Sequence, residues 1–269
     1  MVRVSGGRFK MGEVIEYADS HLDVTGPVKV SLSRPFLFAR TEVTQALWLH
    51  VTGESPWLGR EVCSVGPDLP AVCVTWLEAI SFCNALSERE GLTPAYELLG
   101  AVDESTEWIR WNHSANGYRL PTEAEWEKAA RNDQNLHFGA TSTWDDVCTY
   151  SNLGSEESNF FSCFDRFNGL APVRNHRFDS YLLYDTIGNV EEMVWDGWMQ
   201  ELVKGNDPEG LPLTVDRVAK GSSWRVLRQD SLVGRRRKIT ATGWEPDLGL
   251  RLARWESEPR NNTDEPPGR

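Results

Sequence analysis

The chain has 269 residues, a formal net charge of −12 and 40% hydrophobic residues, which suits one large domain that needs neither disulfides nor a metal merely to stay folded. Its acidic residues are spread along the whole sequence, which argues against a nucleic-acid-binding surface. No run approaches the length of a membrane span, and Met1 to Gly7 is not a charged segment followed by an apolar one, so neither a span nor a signal peptide is expected and the cytoplasm is the favoured compartment.

In chain order, alternating or β-branched runs bounded by glycine or proline predict strands at Gly7–Met11, Val28–Leu32 and Phe36–Ala39. Thr44 to Val51 predicts a short helix stopped by Gly53. Thr75-Trp76-Leu77-Glu78 is a capping box, and Trp76, Ala79, Ile80, Cys83 and Leu86 recur on one face, predicting a helix of about three turns that ends near Gly91. Thr122-Glu123-Ala124-Glu125 repeats the device for a helix to about Arg131. Further strands are predicted at Arg217–Trp224 and Gly249–Ala253. The Pro-, Asn- and Glu-rich stretch from Trp255 to Arg269 reads as a disordered tail, leaving residues 1–254 as the domain.

Twelve tryptophans are high usage; each joins a large apolar area to an N–H that needs an acceptor, so they are expected in core clusters that pin loops. The basic run Arg235-Arg236-Arg237-Lys238 reads as a strand whose arginines pair with acidic neighbours, rather than as a phosphate patch. Cys63, Cys73, Cys83, Cys148 and Cys163 include no CxxC pair and read as buried thiols, one disulfide being the alternative. The five histidines form no HExxH or comparable pair, which disfavours a histidine-based metal catalyst.

Seven segments occur together in order. They are VSGGRFKMG from Val4, TEVT from Thr41, LPAVCVTW from Leu69, YRLPTEAEWE from Tyr118, LYDTIGNVEE from Leu183, GSSW from Gly221 and LGLR from Leu248. This ordered set resembles the formylglycine-generating enzyme family, also called sulfatase-modifying factors, over roughly residues 2 to 254, with RLPTEAEWE its most specific part. The resemblance implies an α+β, C-type-lectin-like fold with little regular secondary structure and bound calcium. By resemblance, one calcium site would use Asn152, the Leu153 carbonyl, Asp165 and the Phe167 carbonyl, and a second Asp185, Glu192 and the carbonyls of Gly188 and Val190. Those side chains are the hard oxygen donors calcium takes, set in loop-like contexts.

Active members of that family carry two cysteines, five residues apart, after the GSSW-like turn; as thiolates they hold copper and, with oxygen, convert a peptide cysteine to formylglycine. Here the matching positions are Val226 and Ser231, and no cysteine follows Cys163. Glu191 stands where the family has tryptophan, and Asp247 where asparagine often precedes the LGFR-like motif. No copper is therefore expected, since Cu(I) needs soft ligands. The expectation is a non-catalytic module that binds a protein, small-molecule or glycan ligand through Arg225, Arg228, Asp230, Arg235, Arg237, Trp244 and Glu245, a segment rich in the arginine and tryptophan of binding hot spots. It could serve as a sensor or regulatory domain. The segment also resembles the place where retroelement-diversified variable proteins carry their mutable positions, although it lacks their asparagines. The alternative is an enzyme of altered, copper-independent chemistry.

Overall fold

A computed structural model of the chain describes residues 1–13, 26–99, 109–134, 136–154, 163, 166–211 and 214–256. Threonine caps decide where its longer helices begin. Thr44 precedes α1 (Gln45–Thr52), its hydroxyl accepting from the Leu47 N–H, and Gly53 ends the helix in the left-handed region at φ 76°, where a residue without a Cβ is unstrained. Thr75 and Thr122 form the expected reciprocal boxes with Glu78 and Glu125 at the starts of α2 (Trp76–Arg89) and α3 (Glu123–Arg131). At 14 residues α2 has about four turns and ends two residues before Gly91, close to the expected stop. A single turn, α4 (Val147–Tyr150), follows.

The strands form small separate sheets. β1 (Val2–Val4) and β12 (Ala253–Trp255) flank β4 (Phe36–Phe38), both antiparallel to it. β2 (Gly7–Met11) and β3 (Val28–Leu32) pair antiparallel, and β8 (Gly205–Asn206) lies parallel on β3. β5 (Tyr96–Leu98) and β6 (Ile109–Trp111) also pair antiparallel. The sheet that positions the site has the order β10 (Arg236–Thr240), β9 (Asp216–Lys220), β7 (Glu191–Gly197) and β11 (Leu248–Leu250). β7 is buried along its whole length, as an inner strand covered on both faces should be.

Three expectations need correction. The strand predicted over Arg217–Trp224 ends at Lys220, because Gly221 and Ser222 take φ values of 94° and 60° that turn the chain out of the ladder. The strand predicted over Gly249–Ala253 is two, β11 and β12, in different sheets, with the fully buried Arg251 between them. The tail does not begin at Trp255, which pairs with Phe36 in β12; Glu256 still binds Arg3, and residues 257–269 lie outside the described residues. The cysteines also differ from expectation: Cys63–Cys73 and Cys148–Cys163 are disulfides, and only Cys83 is a buried thiol. Spacing alone could not reveal that each pair comes within bonding reach.

The tryptophans pack as expected. Trp48 stacks on Phe82, while Trp76, Tyr96 and Trp111 cluster around Trp195. Less expected is how much charge the interior holds. All nine residues of α3 are buried, and its carboxylates are each matched. Arg119 grips Glu125 with two bonds of 2.6 and 2.7 Å, Arg236 grips Glu123 with two of 2.7 and 2.8 Å, and Glu127 takes Arg131, Lys220 and the Gly12 N–H. Buried carboxylates persist only when paired and hydrogen-bonded in this way. The RLPTEAEWE segment is thus the charged keel of the fold.

Candidate functional site

The segment from Gly221 to Asp247 leaves the end of β9, turns, and returns through β10 to β11. Its opening turn is held internally: the Ser223 hydroxyl donates to Asp247 Oδ2 at 2.7 Å, and the Trp224 N–H donates to the Asn189 carbonyl at 3.1 Å. Val226 then ties back to Gly154, whose N–H donates to the Val226 carbonyl at 2.8 Å. A short 3-10 turn over Arg228–Asp230 follows, closed by the Ser231 hydroxyl donating to the Arg228 carbonyl at 2.7 Å. Ser231 is therefore a turn-closing residue, fully buried.

The next arginines are anchored by residues the sequence marked only as departures from a pattern. Glu191, buried on β7, accepts from Arg235 at 2.8 Å and closely from Arg237, whose other arm donates to Glu245 at 2.7 Å. Burial alone would pull the Arg237 guanidinium down, but Glu191 and Glu245 overcome it and raise its pKa. Lys238 pairs with Asp216, so the basic run is a strand balanced by acids, as expected. Trp244, 38% exposed, is supported from below: Arg60 lies 4.1 Å over its ring and donates to the Cys73 carbonyl, while the Cys73 N–H donates to the Glu245 carbonyl. The Cys63–Cys73 disulfide thereby pins the 60–73 loop under this corner.

Of the expected binding residues, Arg235, Arg237 and Glu245 come together through Glu191, with Trp244 beside Glu245. Arg225, exposed, lies over Trp224, and Arg228 sits over Trp144 in a separate stack. Asp230 closes the 3-10 turn, its N–H donating to the Leu227 carbonyl. Sequence reasoning missed Arg60, and took Glu191 and Asp247 as lost features rather than as anchors. The available signal was an acid in an apolar strand position, two strands away from an arginine run. Thr242, two residues before Trp244, lines a cleft of about 590 Å³ together with Trp48, Thr75, Glu78 and Phe82.

The residues expected to hold calcium are only partly free to do so. Asn152 donates through its amide to the Gly169 carbonyl and to Asn189, leaving its buried Oδ1 with no donor. Asp185, in the left-handed region at φ 53°, accepts from the Arg174 N–H through Oδ2 while Oδ1 has no hydrogen bond. The Asn152 oxygen fits a hard cation, whereas Asp185 Oδ1 already faces His176 Nδ1 at 3.6 Å. Glu192 does not fit: both of its oxygens are held by Arg251 at 2.6 to 2.9 Å, and Oε2 also accepts from Trp126 Nε1. Gly188, at φ 83°, donates to the Gly221 carbonyl, and Val190 is fully buried. Asp165 lies outside the described residues; Leu153 is buried and Phe167 half-buried. Among the described residues no three Asp, Glu, His or Cys side chains are grouped to hold a metal, so a cation here would depend on amide and backbone oxygens.

Two further residues belong to this region. Glu42, fully buried, has an orphaned Oε2, and burial together with Asp185 and Glu192 raises its pKa well above the carboxylate range despite Arg251. Asn189 is the hub: its amide meets Glu42, Asn152 and both backbone groups of Ala171, its N–H donates to the Asn152 carbonyl, and its own carbonyl receives Trp224.

With this geometry in place, residues 1–256 match the family described as the sulfatase-modifying factor enzyme 1-like domain. The chain belongs to the sulfatase-modifying factor family. Within and around that family it is 31% identical over 275 residues to the chaperone protein LppX of Paenibacillus barcinonensis, covering 94% of this chain and 89% of that protein. It is 28% identical over 279 residues to the formylglycine-generating enzyme of Thermomonospora curvata, covering 92% and 89%. Among solved structures, Treponema denticola variable protein 1 superimposes with a TM-score of 0.78 at 28% identity, covering 95% of each chain. The mixed α and β architecture is thus the sulfatase-modifying factor fold.

Proposed function

We propose that this sulfatase-modifying factor domain is a non-catalytic module that binds a protein partner through the segment from Gly221 to Asp247, with its exposed Trp244 and Arg225 as contacts. The observation that carries this is the state of its sulfur. Val226 and Ser231 occupy the copper-ligand positions, four cysteines are in disulfides, and burial raises the pKa of the fifth, Cys83. No thiolate pair is left to grip a soft metal. Arg235 and Arg237 brace the face through Glu191, and Trp244 and Arg225 are among its exposed groups. A relative named a chaperone supports a protein partner. The two disulfides support an oxidising compartment rather than the cytoplasm.

The test is site-specific photocrosslinking in the native host from position 244, with position 98 as control, combined with Trp244→Ala and Arg225→Ala. A partner should crosslink at 244 alone, and Trp244→Ala should weaken it roughly 30-fold, the size of a binding hot spot, at unchanged stability. Equal capture by Trp244→Ala would move the binding face elsewhere. Aldehyde formed on a Cys-x-Pro-x-Arg peptide with Cu(I) and oxygen would defeat the non-catalytic assignment.

We further propose that calcium binds at the Asn152 loop, using the orphaned Oδ1. A ligand held only by the folded state stabilises it by mass action, so calcium at a hundred times its dissociation constant should raise the melting temperature by about 5 °C or more. Asn152→Ala should abolish the shift. A melting temperature indifferent to both calcium and chelator would retire the site.

A further inference from the structure

Away from that corner, the ribbon of β2 and β3 carries a charge pattern the fold does not need. Its register places Lys10 directly opposite Lys29, and Arg8 opposite Ser31. Directly opposed residues share a face of the sheet, so the three cations point the same way, and all three are exposed. The other face supplies the buried Met11, Val30 and Leu32. Like charges set opposite each other destabilise a ribbon.

Acid is abundant in this chain, with 40 Asp and Glu against 28 Lys and Arg, and elsewhere it is used. Lys238, equally exposed on a strand, has Asp216, and Arg3 has Glu256. Among the described residues no carboxylate lies within ion-pair distance of Arg8, Lys10 or Lys29. The same three residues wall a shallow trough of about 480 Å³, completed by Phe9 and Val30 between them and by Ser31, Gly205 and Asn206 toward β8.

We propose that this trough docks an extended acidic peptide segment of a partner polypeptide, with Asp or Glu at alternate positions. The spacing carries the choice. Arg8 and Lys10 are two residues apart on one strand, about 6.8 Å at the rise of a β-strand. An extended peptide presents its own alternate side chains at the same repeat, so successive carboxylates meet successive cations. An anionic membrane or a nucleic acid is a poorer match: it would extend past the three cations and meet a molecule of net charge −12. A short acidic segment stays within the screening length of the patch.

The probe is a fluorescent Glu-Thr-Glu-Thr-Glu peptide, measured by anisotropy against the full chain at low salt, with Gln-Thr-Gln-Thr-Gln as control. The Glu peptide should bind, the Gln peptide should not, and Lys10→Glu with Lys29→Glu should weaken binding about tenfold or more, as expected for losing two ion pairs and gaining two repulsions. Trp244→Ala should leave it unchanged, which separates this site from the corner proposed above. Because the substituted residues are exposed, the variant should stay folded, with a melting temperature close to the parent's. Lys10→Gln with Lys29→Gln provides a second, milder variant expected to bind less and melt slightly higher. Equal binding of the Glu and Gln peptides, or equal binding by parent and charge-reversed chain, would overturn the proposal. So would tighter binding of phosphatidylserine vesicles or of a single-stranded oligonucleotide than of the peptide.

Discussion

Arg251→Leu should destabilise the protein by about 3–5 kcal/mol, the penalty for leaving buried carboxylates without their counter-charge. Arg251 is completely buried, binds Glu192 through two nitrogens, donates to the carbonyls of Ala39, Tyr184 and Asp185, and lies 3.9 Å from Glu42. Its own pKa is raised: burial opposes its charge, but Glu192, Glu42 and Asp185 outweigh that. Without it, three buried acids would face one another, and Glu42 already resists ionisation. The sign of the pH dependence follows. Acids whose folded pKa is raised contribute stability that is present below their unfolded pKa and lost as pH rises through the folded value. The deficit of Arg251→Leu should therefore be smallest below about pH 4 and largest at neutral pH. Urea unfolding of parent and variant at pH 4 and pH 8 measures it, and an equal deficit at both would contradict the argument. Adding Glu192→Leu to Arg251→Leu should recover part of the loss, since removing both partners costs less than stranding one.

Gly188→Ala should cost about 3 kcal/mol or more, from backbone strain and collision together. Gly188 sits at φ 83°, and a Cβ there would lie 2.2 Å from the Asn152 carbonyl oxygen and 2.9 Å from its carbon. Both obstacles are backbone and cannot swing aside. Gly169→Ala is the control, because a Cβ at that position meets nothing within 4 Å, and it should change stability by no more than about 0.5 kcal/mol. Chemical denaturation of the two variants checks this, and equal midpoints would show that the 188 turn can relax.

What the sequence disclosed was local. The capping boxes at Thr75 and Thr122 act within three residues, and β2 and β3 follow their alternation to the residue. What it hid was distant. Glu192 meets Arg251 across 59 positions and Arg236 meets Glu123 across 113, and no periodicity encodes such pairs. Glu191 was visible as an acid in an aromatic position, but its purpose emerges only when β7, β9 and β10 lie side by side, bringing Arg235 and Arg237 to it. The disulfides were hidden for the same reason. Where β9 ends was hidden too, because Ser222 adopts a left-handed backbone that serine does not advertise.

Asn189 gives the molecule a lever. One side of this residue holds the Asn152 loop and Glu42, and its carbonyl holds Trp224 at the root of the outward corner. Whatever steadies the loop must steady the corner, and the dependence runs equally in the opposite direction. If the calcium and partner sites proposed above are both occupied, calcium at the loop and a partner at Trp244 would strengthen each other through a single amide side chain.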